Sequence, residues 1–357
     1  MKTYTFRTLT SIWLFAMLLN VLPLGASVVY RSVEEFEKKI SKEYTVNADA
    51  TLELKNKFGK IHVNTWDDNK VTINVVISVD TRSKEAAEKI FENIKIEMSG
   101  SKSHVSAETI FKSKMNNDHN KKDLRIDYTV NIPRKAAVDL YNRFGDIYLG
   151  DLLGSCKIDL AYGSMRAGDL DNKVNSIELQ FSDGEIKFIA IGDLDLQYSE
   201  LEIEKAGSLN IKTQFSELEI GPAGELKVNS QYDDIDLEGA SKIRMDTQFS
   251  DIHIEQITKE FHLINAYGDI EVERIPPNME TIYVDNQFGD VELGIAPGTS
   301  YILDAKGSFS DIDLPDNFKV REKTKGNTSF RYFGTVGDDP GDRTVTIDTS
   351  YGDVDLN

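Results

Sequence analysis

Pairs of acidic side chains recur along the second half of the sequence, with one apolar residue between the two acids. The spacing is met by Glu200 and Glu202, Glu217 and Glu219, Asp234 and Asp236, Asp269 and Glu271, Asp290 and Glu292, Asp311 and Asp313, and Asp353 and Asp355; Asp251 is followed in the same way by His253. Two carboxyl groups can act as the acid and base of glycoside hydrolysis, and carboxylate oxygens bind calcium. An active site would occur once and differ from its surroundings, whereas these pairs recur. The pattern therefore favours a structural or binding surface, and it predicts no catalytic residue.

The acidic pairs follow an aromatic motif that repeats through the same part of the chain. Glutamine precedes the aromatic in Gln180-Phe181, Gln197-Tyr198, Gln214-Phe215, Gln231-Tyr232 and Gln248-Phe249, at intervals of 17 residues. The full series of aromatics is Phe144, Tyr162, Phe181, Tyr198, Phe215, Tyr232, Phe249, Tyr267, Phe288, Phe309 and Tyr351, and its later intervals lengthen to 21 and then 42 residues. A period of this length indicates an array of stacked structural repeats.

One repeat shows how the residues fold. Leu209, Ile211, Thr213 and Phe215 alternate with polar residues, which predicts a half-buried strand with the aromatic inside. The alternation slips at Ser216-Glu217, so this dipeptide predicts a corner before a second short strand. Glycine at the same corner in other copies (Gly145, Gly268, Gly289, Gly352) suggests unusual backbone dihedrals there. The resulting fold is all-β, a single-stranded β-solenoid of about 17–21-residue coils with an internal aromatic stack.

Stacked coils place equivalent polar residues above one another on the outer surface. The candidate binding face consists of glutamines, acids and one histidine: Gln197, Gln214, Gln231, Gln248, Glu200, Glu202, Asp251 and His253. Like charges opposite each other destabilise a sheet, and backbone hydrogen bonds at the corner together with solvation would offset this. Bridging calcium ions are the alternative, with the candidate ligands Glu217, Glu219, Asp234, Asp236, Asp269, Glu271, Asp290 and Glu292. No other cofactor is expected. A lone surface histidine such as His253 is more often simply exposed than a ligand.

The ends of the chain predict a leader and two caps. Residues 1–26 read as a signal peptide with cleavage after Ala26. Residues 27–135 predict a strand-rich N-terminal capping region of mixed α/β character, with a short helix opening near Ser32 and a longer helix near 83–94 that Ser83 caps. Residues 136–314 form the solenoid, and residues 315–357 contribute an insertion and C-terminal capping strands.

Composition narrows the partners and the location. The formal net charge of -19 argues against nucleic acid, whose phosphates need lysine and arginine. Cys156 is the only cysteine, so no intrachain disulfide can form, and we expect it to be a buried strand residue. No segment after the leader predicts a membrane span. The protein is therefore expected to be exported to the periplasm, the outer cell surface or the medium.

Several motifs resemble the putative-adhesin repeat family of bacterial exported proteins, which is frequent in Bacteroidota. The resemblance rests on Phe144-Gly145-Asp146-Ile147 and its copies, on Asn56-Lys57-Phe58-Gly59-Lys60-Ile61 followed by Thr65-Trp66-Asp67, and on Asn131-Ile132-Pro133-Arg134. It covers most of residues 44–357 and implies a right-handed β-helix-like fold and an exported location. It brings no catalytic residues.

The function expected from these observations is binding, not catalysis. The leading hypothesis is an exported cell-envelope protein, an adhesin or binding scaffold that meets an envelope glycan or protein along its acidic face. A polysaccharide-acting enzyme on a β-helix and a calcium-dependent adhesion or stability module remain the alternatives.

Overall fold

The computed structural model describes residues 33–113 and 124–356. The predicted signal peptide lies outside these residues. Strands make up 68% of the structure and helix 3%, so the all-β prediction is confirmed. Parallel strands stack coil upon coil in a solenoid-like array, because each coil pairs with the one before and the one after.

The N-terminal region combines one coil of the array with a layer that covers it. Its elements are β1 (Glu34–Thr45), β2 (Thr51–Lys57), β3 (Ile61–Trp66), β4 (Lys70–Thr81), α1 (Lys84–Asn93), β5 (Ile94–Gly100), β6 (His104–Phe111) and β7 (Leu124–Pro133). The predicted helix near 83–94 is present as α1, and the Ser83 side chain accepts a hydrogen bond from the Ala86 N–H. The short helix predicted near Ser32 is wrong, because β1 begins at Glu34 and runs antiparallel to β4.

Each regular coil of the central array has a long strand before the corner and a short strand after it, and in β13 and β20 the short strand of one coil continues into the long strand of the next. Its elements are β8 (Ala137–Arg143), β9 (Ile147–Leu149), β10 (Cys156–Ala161), β11 (Ser164–Leu170), β12 (Asn175–Gln180), β13 (Asp183–Gln197), β14 (Glu200–Ile203), β15 (Ala206–Gln214), β16 (Glu217–Ile220), β17 (Ala223–Gln231), β18 (Asp234–Leu237), β19 (Ala240–Gln248), β20 (Asp251–Ala266), β21 (Ile270–Ile275), β22 (Thr281–Gln287) and β23 (Val291–Ile295). Long strands pair in parallel at a step of one coil, so that Leu209 lies opposite Leu226 and Leu226 opposite Ile243.

Ladders of aliphatic side chains fill the space between the long and short strands. Leu209, Ile211, Leu218 and Ile220 of one coil are all buried, and their equivalents continue through the array. Each such side chain stabilises the fold by about 1.5–3 kcal/mol relative to full exposure. The predicted inward phase of the two strands is therefore confirmed, and Cys156 is buried in β10 as expected.

The C-terminal coils do not stack in the order of the sequence. The remaining elements are β24 (Tyr301–Ser308), β25 (Ile312–Asp313), β26 (Phe318–Lys325), β27 (Ser329–Val336), β28 (Thr344–Ser350) and β29 (Val354–Asp355). Strand β28 pairs in parallel with β22 on one side and with β24 on the other. Strand β27 runs antiparallel to β24 and covers the open edge, with Phe330 and Tyr332 buried.

Candidate binding surface

The aromatic residue of each coil forms the corner itself. Twelve aromatics, from Phe58 to Tyr351, adopt the left-handed conformation, with φ between 49° and 66°. This conformation reverses the direction of the side chain, so the eleven rings from Phe144 onward point outward and are 41–57% exposed. The predicted internal aromatic stack is therefore wrong. The alternation of inward and outward side chains ends at the residue before each aromatic, because the left-handed aromatic does not follow it.

The outward rings form one continuous stack. From Phe144 to the end of the array, successive ring centroids lie 4.7–5.1 Å apart and the ring planes differ by 1–9°. The spatial order is Phe144, Tyr162, Phe181, Tyr198, Phe215, Tyr232, Phe249, Tyr267, Phe288, Tyr351 and Phe309, so phenylalanine and tyrosine alternate strictly. Because each ring covers its neighbour's face, only the ring edges meet the solvent.

Glycine is needed at these corners because the neighbouring coil lies very close, and not because of an unusual φ angle. Gly268, Gly289 and Gly352 do not have positive φ angles. A Cβ added to Gly268 would lie 2.0 Å from the Ser250 carbonyl oxygen, and one added to Gly352 would lie 1.9 Å from that of Gly289. The prediction that glycine supplies special dihedrals here is wrong, because the preceding aromatic has the left-handed conformation and the glycine lies against the neighbouring coil.

Five coils have a buried polar residue in place of this glycine. The Ser199 N–H donates to Ser216 Oγ at 3.1 Å, and the Ser216 N–H donates to Asp233 Oδ1 at 2.8 Å. The Asp233 N–H in turn donates to Ser250 Oγ at 3.1 Å. Burial raises the pKa of the Asp233 carboxyl above its usual value, and hydrogen bonds from Ser230 and from backbone N–H groups oppose the rise. These residues connect successive corners beneath the aromatic stack.

The glutamines lie on the side of the aromatic stack toward the long strands. The Gln214 Nε2 group donates to Gln231 Oε1 at 3.2 Å, so an amide ladder joins these two coils. Gln197 and Gln248 are exposed at the equivalent positions of neighbouring coils, with Gln197 opposite Gln214 and Gln231 opposite Gln248. The outward position predicted for the glutamines is confirmed.

The first acid of each pair forms a ladder on the other side of the rings. Glu200, Glu217, Asp234 and Asp251 lie in register on successive coils. Farther along, the carboxylates accept backbone N–H groups: Asp251 Oδ1 from Asp269 at 3.1 Å, Asp269 Oδ1 from Asp290 at 2.9 Å, and Asp290 Oδ1 from Asp353 at 2.8 Å. These bonds join neighbouring coils, whereas the sequence predicts backbone hydrogen bonds in Asx-type turns within each corner. They stabilise the stacked charges there.

The second acid of each pair forms a parallel ladder that His253 interrupts. Glu202, Glu219 and Asp236 lead in register to His253, and Glu271 and Glu292 follow it. The His253 Nδ1 lies 3.5 Å from Glu271 Oε2, and its Nε2 lies 3.4 Å from Glu273 Oε1. Ligand atoms of these three residues lie within 4.8 Å of one another, so they could hold a divalent cation. Glu273 was not predicted as a candidate, although it continues the outward alternation of β21.

Two grooves run along this surface. One is shallow and nearly flat; it lies between the rings and the first acidic ladder and is lined by Tyr198, Phe215, Tyr232, Phe249, Glu200, Glu217 and Asp234. The other, of about 540 Å³, follows the acids toward the C-terminal end and brings together Asp234, Asp251, His253, Asp269, Glu271, Asp290 and Glu292. Of the predicted calcium ligands, Glu219 and Asp236 line neither groove.

The middle of the acidic surface has no basic partners. No lysine or arginine in the described ranges, 33–113 and 124–356, forms an ion pair with Glu200, Glu202, Glu217, Glu219, Asp234 or Asp236. Nearer the N-terminus, acidic residues do have basic partners: Arg166 pairs with Glu185 at 3.0 Å, and Lys187 pairs with Asp169 at 3.1 Å. Carboxylates without a lysine or arginine partner therefore lie beside the 17-residue coils of the aromatic stack.

A family model decides the relationship of this fold to known proteins. The model described as Toastrack DUF4097 matches residues 171–357, more than half of the chain. The chain belongs to the Toastrack DUF4097 family. The Toastrack match contains the corner aromatics from Phe181 onward and all of the acidic pairs. The resemblance predicted from the sequence motifs is confirmed.

Solved structures with similarity to this Toastrack protein share little sequence with it. A "putative adhesin" from Bacteroides fragilis is 17% identical with a TM-score of 0.36, and the match covers 70% of this chain and 97% of that one. Another from Parabacteroides distasonis is 12% identical with a TM-score of 0.31, covering 72% and 97%. A "putative lipid binding protein" from Parabacteroides distasonis is 8% identical with a TM-score of 0.28, covering 89% and 96%. No curated protein is a significant match to the chain.

Helices in the described ranges are too short or too polar to cross a bilayer.

Proposed function

We propose that the protein is a non-enzymatic, exported binding protein of the cell envelope, an adhesin or binding scaffold that meets a glycan or protein partner along its repeated surface. The observation that supports this most is the exposed aromatic stack, which continues coil by coil from Phe144 to Phe309 beside two polar ladders. Solenoids commonly bind through such extended surfaces. The description of similar structures as adhesins agrees with this function.

The proposal includes the arrangement of the chain. Residues 1–26 direct export, residues 27–135 cap the N-terminal end and residues 315–343 cover the C-terminal end. Residues 136–314, together with the inserted strand β28 and Tyr351, present the binding surface. The coils wind as a single-chain, right-handed solenoid, as the family resemblance implies and as crossover connections between parallel strands nearly always do. An experimental density map that defines the Cβ positions checks the hand.

Catalysis on a polysaccharide is the competing function. An active site would differ from its surroundings, but Glu200, Glu217 and Asp234 occupy equivalent exposed positions on successive coils. Cleavage assays on acidic and neutral polysaccharides, with and without calcium, test this alternative. Cleavage that disappears in His253→Ala would replace binding with catalysis as the main function.

Retention on envelope material tests the binding function directly. A chain beginning at Ser27 is passed over immobilised envelope polysaccharides and envelope proteins, and the retained fraction is measured. We expect retention that falls at least fivefold when Phe215, Tyr232 and Phe249 are replaced by asparagine. The matched control replaces Ile191 and Ile264 by asparagine. These two residues are exposed to a similar extent outside the stack, so their replacement should change retention little. Absence of retention on every material would reject the function.

Divalent-cation binding is a second candidate, favoured by the arrangement of His253, Glu271 and Glu273. Cation binding to the folded state would raise the melting temperature. Melting curves in millimolar calcium, in micromolar zinc and in chelator, for the natural chain and for His253→Gln, distinguish the two ions. A zinc-dependent rise lost in His253→Gln indicates this cluster, a calcium-dependent rise in both proteins indicates the acidic ladders, and unchanged curves exclude the candidate.

A further inference from the structure

We infer that the groove between the aromatic stack and the first acidic ladder binds an extended, cationic polypeptide segment that lies along the axis of the array. The inference rests on the proposed binding function and names the chemistry of the partner. The groove in question is lined by Tyr198, Phe215, Tyr232 and Phe249 on one side and by Glu200, Glu217 and Asp234 on the other.

The rings provide an apolar wall made of edges. Between Phe181 and Phe249 the centroids lie 4.8–4.9 Å apart and the planes differ by 1–8°, so each ring face is covered by the next ring. A sugar that stacks on an aromatic needs an open face, which this wall lacks. The methylene stems of lysine and arginine need only apolar contact, and these ring edges offer such contact at every coil.

The acids provide a wall of charge that the chain itself does not neutralise. Glu200, Glu217 and Asp234 are exposed, stand in register on successive coils, and have no lysine or arginine partner among the described residues. Carboxylates spaced at one coil of about 4.8 Å raise each other's electrostatic energy. A bound row of cationic side chains would relieve this repulsion, and the net charge of -19 attracts cationic partners from a distance.

The repeat of the surface sets the form of the partner. Tyrosine occupies every second position of the stack, as in Tyr198 and Tyr232, so the surface has a two-coil period of roughly 9.6 Å. An extended polyproline-type chain advances about 3.1 Å per residue and so about 9.3 Å per three-residue turn. A basic side chain at every third residue would therefore meet an equivalent position at every second coil. Fifteen residues span roughly 46 Å, more than the four coils that line the groove.

The test uses a labelled fifteen-residue peptide, (Arg-Pro-Pro)₅, and the purified chain beginning at Ser27. We expect saturable binding by fluorescence anisotropy that weakens at least tenfold between about 0.05 M and 0.5 M sodium chloride, because salt screens exposed charges. The same peptide with glutamate in place of arginine should not bind. A three-residue version should bind at least tenfold more weakly than the fifteen-residue one, since it places a single arginine in the groove.

Two variants of equal charge locate the peptide. Glu200→Gln/Glu217→Gln should weaken binding at least fivefold. Glu225→Gln/Asp246→Asn removes the same charge from exposed positions that do not line the groove, and should weaken binding less than twofold. Equal weakening by both variants, or no binding at low salt, overturns the inference. If the peptide fails while envelope material is still retained through the aromatic stack, the binding function stands and the polypeptide partner is wrong.

Discussion

The ring of Tyr351 stacks on the ring of Phe288 with a centroid separation of 4.8 Å and an interplanar angle of 3°. Phe309, which lies between them in the sequence, stacks on the opposite face of Tyr351 at 5.0 Å. The insertion of β28 between β22 and β24 produces this order. Phenylalanine and tyrosine therefore alternate in space, although the sequence places two phenylalanines in succession.

A left-handed aromatic balances backbone strain against ring stacking. In Phe215→Ala the two ring contacts of Phe215 are lost, each worth about 0.5–1.5 kcal/mol, while an unfavourable conformation remains. Phe215→Asn loses the same contacts but tolerates the left-handed region better. We expect urea unfolding to show both variants less stable than the natural chain, with Asn above Ala by about 1 kcal/mol. Equal stabilities would contradict the role assigned to this conformation.

Close contact between coils makes Gly268 much more sensitive to substitution than Gly298. In Gly268→Ala the new Cβ meets a backbone oxygen at 2.0 Å, and backbone held on both sides cannot move away. We expect a loss of more than about 3 kcal/mol in the free energy of unfolding. Gly298→Ala is the control, because Gly298 has φ +84° but nothing within 4 Å of its added Cβ, and it should lose only about 1 kcal/mol. Similar losses at the two positions would argue against the coil contact.

Asp233 should make stability depend on pH in a defined direction. Because burial raises the pKa of its carboxyl in the folded state, this group contributes stability that is full below its unfolded pKa and is lost as pH rises through the folded pKa. Asp233→Ser installs the residue found at the equivalent corners Ser199, Ser216 and Ser250. We expect the stability of this variant relative to the natural chain to increase from pH 4 to pH 7 in thermal melts. A constant difference would contradict the assignment.

Cys156 should be inert while the protein is folded. Burial raises the pKa of its thiol to about 12, and its side chain is 2% exposed, so little thiolate is present and little can be reached. We expect Ellman's reagent to modify it only as fast as the fold opens, and at once in denaturant. Lys102→Cys in a Cys156→Ser background is the exposed comparison and should react within minutes. Rapid modification of native Cys156 would show that β10 is accessible.

Periodicity in the sequence predicts which aliphatic side chains are buried. It does not predict the left-handed conformation that turns each corner aromatic outward. Leu209, Ile211 and Leu218 lie inside because alternation holds along each strand. Phe215 does not, since a left-handed residue turns its side chain outward, and aromatic residues are not ones for which that conformation is expected. Glu200 and Glu217 are exposed, as the same alternation predicts.

The repeat spacing also does not predict where the C-terminal coil lies in the array. The interval of 42 residues before Tyr351 suggested an insertion, but spacing gave no sign that β28 would enter between two earlier strands. The strict alternation of phenylalanine and tyrosine was the available signal, because Tyr351 restores it only when placed between Phe288 and Phe309.

The insertion of β28 also fixes when the array can be completed during folding. Strands β22 and β24 are close in the sequence and can meet before the more distant residues 344–350 fill the space between them. Premature pairing of β22 with β24 would be a register error that has to be undone. We therefore expect refolding to show a slow phase that disappears when a chain ending after Val336 is refolded, as stopped-flow fluorescence can measure. A slow phase that persists in the truncated chain would mean that the space between β22 and β24 forms without β28.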